Sequence, residues 1–180
     1  MIMALIIGCE IAFWVLVLAG LSARYLLGWR KIGGLLLIGT PIVDLILIVV
    51  TVIDLKNGTM ASFAHGLAAV YIGVTVGFGH RMIRWADQRF AYRYAGGAKP
   101  EKAPKYGKEH ARSERQGWYR HLLSGVIGAS LLYGMILFVD DPSRTEQLGG
   151  MIIKWAVILG IDFLISFSFT LWPKKQTLSG

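Results

Sequence analysis

Residues 61–94 read ASFAHGLAAVYIGVTVGFGHRMIRWADQRFAYRY. The first twenty are apolar and rich in glycine, enough for a helix to cross a bilayer; the remainder carries Arg81, Arg84, Arg89 and Arg93 out of it. At about 100° per residue, His65, Gly66, Ala69, Gly73, Gly77 and His80 fall on one narrow face of small residues with a histidine near each end. The stretch therefore predicts one long helix, membrane-embedded in its first part and cytoplasmic in its second.

Outward from it, the whole chain has the same character. Of 180 residues, 54% are hydrophobic and 17% charged, against roughly 25% charged in soluble domains. The apolar residues come in blocks of bilayer length, which predicts an all-α integral membrane bundle of five transmembrane helices in one domain, 1–180. The spans are placed at about 2–19, 32–53, 61–82, 118–139 and 151–172. A basic cytoplasmic loop, 83–117, joins the third to the fourth. Asp140, Asp141 and Pro142 end the fourth span, and an outer loop is expected to run from there to Gly150.

The net charge of +8 would suggest nucleic acid in a soluble protein, but here the cations lie beside apolar spans. Topology and anionic lipid account for that placement, and no nucleic-acid recognition motif accompanies it. Of 19 Lys and Arg, Lys56, Arg144 and Lys154 alone fall on the outer side of a bundle with its N-terminus outside and its C-terminus in the cytoplasm. The first residues lack a basic n-region and a cleavage site, so the first span is expected to be retained. Cys9, the single cysteine, excludes an intrachain disulfide.

Three spans carry acids at depth: Glu10, Asp44 and Asp162. A bare carboxylate there costs about 2.5–3.5 kcal/mol, so each needs protein, water or a proton. If the three converge they form a proton or cation site, with Thr40, Thr51, Asp54, His65 and Lys154 as polar partners. Pro41, one turn before Asp44, frees a backbone carbonyl beside which a small ion could sit. The alternative is structural, with Thr and Asp side chains gluing helices together.

Gly66, Gly73 and Gly77 predict close helix packing, against the same chain or a second copy. His80, Arg81, Arg84, Trp85, Arg89 and Arg93 suit the headgroup layer and anionic lipids. His65 and His80 stand about 22 Å apart along the helix and cannot share a metal, so no metal or other cofactor is expected. Catalysis is poorly supported. PIVDL and LGIDF lack the GxGD pattern of intramembrane aspartyl proteases, and neither GxSxG nor HExxH occurs.

The block HGLAAVYIGVTVGFGHRMIRWADQRFAYRYAGG, with KYGKEHA after it, resembles uncharacterised small multi-span membrane proteins of Gram-positive bacteria. The resemblance implies a bacterial plasma-membrane protein and brings no reaction, substrate or site. Two functional expectations stand. One is a small transporter or channel-like protein handling a proton or cation at its buried carboxylates. The other is a noncatalytic membrane partner or assembly subunit, docking through the glycine face and the basic loop, with a homodimer or a second membrane protein as candidate partners.

Overall fold

In a computed structural model the chain forms five helices: α1 Ile2–Tyr25, α2 Arg30–Lys56, α3 Phe63–Tyr94, α4 Gly107–Val139 and α5 Pro142–Leu171. The structure describes residues 2–94, 96–100 and 104–173, without the side chains of residues 2, 3, 5, 6, 10 and 94. All five helices are long and apolar enough to span a membrane. The described residues are otherwise turns and short connections, so the all-α membrane architecture holds.

The long helix expected over 61–94 forms as α3, and α4 starts at Gly107, so the basic segment 83–117 is helical at both ends. With 32 and 33 residues, these helices are each roughly 48–50 Å long and exceed a hydrocarbon core of about 30 Å. Gly96, at φ 64°, follows the end of α3 in a left-handed conformation that suits glycine. The segment 140–150, expected to be an outer loop, is mostly helix, because α5 starts at Pro142. Asp141 caps α5 by accepting from the backbone N–H groups of Ser143 and Arg144, and Pro142 takes the first turn. An Asp followed by Pro is a helix start. Reading the pair only as the end of a span missed its second role.

Consecutive helices pack side by side, and α2 also touches α4 while α3 touches α5. Small residues set these contacts. A Cβ on Gly33 would come within 2.6 Å of the Gly20 carbonyl, so α1 and α2 meet backbone to backbone. A Cβ on Gly73 would meet the Ser124 carbonyl at 2.5 Å, and one on Gly77 the Arg120 carbonyl at 2.7 Å. The glycine face of α3 is therefore filled by α4 of the same chain, while Gly66 abuts Met151 and Leu132. Of the two packings expected of that face, against the same chain or against a second copy, the one within the chain is present. Trp155 of α5 fills the notch left by Gly128 on α4, and Trp118 donates to the Leu159 carbonyl at 3.1 Å.

The main apolar core lies at the end that holds the α2–α3 and α4–α5 turns, where Leu55, Ala69, Leu132, Met135, Leu148 and Met151 join α2, α3, α4 and α5. There Arg144 donates to the carbonyls of Leu55 and Lys56, and the Ala61 N–H donates to the Arg144 carbonyl at 2.8 Å. At the other end, Arg24 forms a two-pronged ion pair with Asp87, at 3.0 and 2.6 Å, tying α1 to the extension of α3.

Candidate functional site: the polar face of α2

The buried residues of α2 are Gly33, Thr40, Asp44, Leu47, Thr51, Asp54 and Leu55. From Thr40 onward they recur every three or four positions and form one stripe facing the bundle. The other side of the helix exposes Leu35, Ile38, Ile42, Leu45, Ile46, Val49 and Ile53. Helix α2 is thus apolar toward lipid and polar toward protein, the reverse of a soluble helix, because lipid tails cannot satisfy polar groups.

The stripe is organised around Asp44, which is 1% exposed. Neither carboxylate oxygen has a hydrogen-bond partner among the described residues. One turn away, Leu47 packs with Cys9 of α1 and Ala68 of α3. The carbonyl freed by Pro41 belongs to Leu37, and the Thr40 hydroxyl donates to it at 2.9 Å. The expected opening for an ion at that carbonyl is therefore closed by the neighbouring threonine. Toward the C-terminal end of α2, Thr51 is fully buried and its hydroxyl oxygen has no partner among the described residues.

At the C-terminal end of the stripe Asp54 meets His65, the third residue of α3. The Ser62 backbone N–H donates to His65 Nδ1 at 2.9 Å, with the Ser62 hydroxyl at 2.8 Å from the same nitrogen. This is the reciprocal half of a capping box, with histidine in the place usually held by glutamate, while the His65 backbone N–H donates to the Ser62 carbonyl at 3.2 Å. Since Nδ1 accepts, the neutral ring carries its proton on Nε2. Nε2 lies 3.5 Å from Asp54 Oδ2, close enough for electrostatic attraction and too far for a hydrogen bond.

Asp162 sits elsewhere. His121 Nδ1 of α4 is 2.9 Å from Asp162 Oδ2, and the Ser166 hydroxyl donates to Oδ1 at 3.4 Å. With Ile158, Ile161 and Ile165 this pair lines a shallow groove on the bundle surface. The carboxylate anticipated beside Asp44 is thus matched to a histidine on α4. Glu10 lies outside the described side chains. Lys154 is exposed on α5, away from the α2 stripe. Sequence reasoning missed His121 as the partner. Both residues stand roughly 27–30 Å from the tight turn at 140–141, and folding the sequence there as an antiparallel hairpin pairs them.

Ser124, which the sequence reading did not single out, is fully buried on α4 against Gly77, and its hydroxyl oxygen has no partner among the described residues; one turn before it Arg120, expected only at the margin of the span, holds Nη1 buried and likewise unpartnered among them. Neither belongs to a motif, and a serine in an apolar run gives no sign of which helix it will face.

The residues expected in the headgroup layer lie on the extension of α3. His80, Arg81, Arg84, Trp85 and Arg89 are exposed; Arg84 contacts His80 at 2.8 Å, and the Arg89 guanidinium stacks 4.7 Å above Trp85. Arg93 follows one turn later on the same extension.

Over 176 residues the chain is 49% identical to the uncharacterized membrane protein YmcC of Bacillus subtilis (strain 168). The similarity covers 97% of this chain and 94% of that protein. The chain belongs to that family. It is a multi-pass bacterial membrane protein, in line with the resemblance carried by residues 65–97. No family model matches it, and no solved structure does. Within this family the polar face of α2 is the feature of this chain with the clearest chemical potential.

Proposed function

We propose that the protein is a small transporter or channel-like membrane protein in which Asp44 takes up a proton or cation inside the bilayer. One observation carries this reading: a carboxylate in the middle of a membrane helix is 1% exposed, and both its oxygens lack a hydrogen-bond partner among the described residues. Intramembrane acids that serve architecture are paired, as Asp162 is with His121. An unpaired one, at about 2.5–3.5 kcal/mol, is a feature a purely structural helix would shed.

Proteoliposomes bearing the wild-type chain, Asp44→Asn and Asp162→Asn test it. Flux of protons or monovalent cations should drop at least tenfold in Asp44→Asn and stay within about twofold in Asp162→Asn. Equal flux in wild type and Asp44→Asn would rule the reading out.

A second reading is favoured by the exposed basic surface of α3 beyond the bilayer, with Arg81, Arg84, Trp85 and Arg89. On this reading the protein is a noncatalytic subunit resting on anionic headgroups and presenting that surface to a membrane partner. Co-purification of a stoichiometric second protein, lost on Arg84→Glu with Arg89→Glu, supports it. The filled glycine face predicts that Gly77→Leu acts on folding first.

A further inference from the structure

We infer that the species handled at Asp44 is the proton, not a metal cation, and that it travels on water held between α2, α3 and α4. This rests on the role proposed above for Asp44 and names its substrate and route. Among the described residues, the buried side-chain atoms without a partner belong to Asp44, Thr51, His65, Arg120 and Ser124. All five residues lie on α2, α3 or α4, the three helices that share contacts.

Their depths form a series. Counted at about 1.5 Å per residue from Lys56, Phe63 and Val139, His65 lies roughly 3 Å in, Thr51 about 8 Å, Asp44 about 18 Å, Ser124 about 22 Å and Arg120 about 28 Å. The contact between Gly77, at about 21 Å, and Ser124 shows that α3 and α4 share this scale. Successive steps of about 4–10 Å are the span of one to three hydrogen-bonded waters. Buried polar atoms without protein partners are the groups that internal water satisfies, and lipid cannot replace it.

The chemistry around Asp44 selects the proton. A dehydrated metal cation needs about six oxygens around it. Asp44 supplies two, the Leu37 carbonyl is engaged by Thr40, and Thr51 stands two turns away. Among the described residues no three His, Cys, Asp or Glu gather as ligands. A proton needs one oxygen of one carboxylate: an O–H bond forms as a neighbouring hydronium gives up its proton, and reverses on release. At the mouth, the Nε2–H of His65 faces Asp54, and the Arg144 guanidinium donates to the neighbouring Leu55 and Lys56 carbonyls.

The test uses the full chain in proteoliposomes, with Cys9→Ala as background. Thr51→Cys, Ser124→Cys and the surface control Ile158→Cys are treated with methyl methanethiosulfonate, which reacts with thiolates, and thiolates need water. Thr51→Cys and Ser124→Cys should react at least tenfold faster than Ile158→Cys. In parallel, replacing all Na⁺ and K⁺ by N-methylglucamine should leave the flux unchanged when read with a pH-sensitive dye. If Ser124→Cys fails to fold beside Gly77, Thr51→Cys decides the outer half. Thiols no more reactive than the control overturn the water route, and flux abolished with the metal cations overturns the proton assignment while leaving Asp44 as a cation site. Reactive thiols without any flux sink the transport role instead and leave a hydrated core.

Discussion

Asp140 and Asp141 are neighbours of identical chemistry with different tasks at the outer turn. Asp140 closes α4 at φ 54°, with its N–H donating to the Ile136 carbonyl at 3.0 Å. Asp tolerates that left-handed conformation where a β-branched residue does not. Asp140→Val should therefore destabilise the fold by about 1–2 kcal/mol, read as a lower melting temperature in detergent. Asp141 opens α5, and its carboxylate is held below the usual range first by the Ser143 hydroxyl at 2.6 Å, then by the backbone N–H and charge of Arg144. With its folded-state value depressed, the stabilisation is complete above the ordinary carboxylate range of about 4 and is lost as pH falls through the lower, folded value. Asp141→Asn should accordingly melt below wild type at pH 6, and the gap should close toward pH 3. A gap that stays constant as pH falls below about 4 would show that the carboxylate charge is not what holds this turn.

Whether a helix tolerates a larger residue depends on which glycine is changed. Gly77 faces the Arg120 carbonyl and the Ser124 side chain, whereas Gly134 has no heavy atom within 4 Å of where a Cβ would stand. Gly77→Leu should cost about 1–3 kcal/mol through overpacking. Gly134→Ala should gain about 0.5–1 kcal/mol by restricting the unfolded chain. Thermal unfolding of both variants in one detergent checks the pair, and the opposite signs are the point: residue type alone predicts the same effect for each. Trp155, 8% exposed in the notch at Gly128, is the matching large residue. Trp155→Ala should destabilise by about 3–5 kcal/mol in the same measurement. The GxxxG spacing was legible as a packing face. Its partner was not, because any small-residue surface at the right depth would serve, and only the assembled bundle shows that α4 takes it.

At the scale of the molecule, charge sets the orientation. The basic extensions of α3 and α4 lie at one end with the Arg24 and Asp87 pair, and the Asp54, His65 and Arg144 cluster lies at the other. The excess of Lys and Arg on the first end predicts that it is cytoplasmic. In intact cells carrying Cys9→Ala, an impermeant maleimide should label Asn57→Cys directly and Ala98→Cys only after permeabilisation. The reverse pattern would invert the topology.

Hydropathy and length alone determined that five helices cross a bilayer, since an apolar block of that size has no other way to satisfy its backbone. The same logic made the Thr40, Asp44 and Thr51 face visible, because helical spacing aligns those side chains before any neighbour is known. Only the tertiary structure decided that Asp162 meets His121, that Thr40 seals the Leu37 carbonyl, and that Ser124 and Arg120 share the interior with Asp44. Those outcomes depend on how each helix is rotated about its axis and set against the next. Rotation is fixed by small packing differences summed over all five helices, and no single stretch of residues carries that sum.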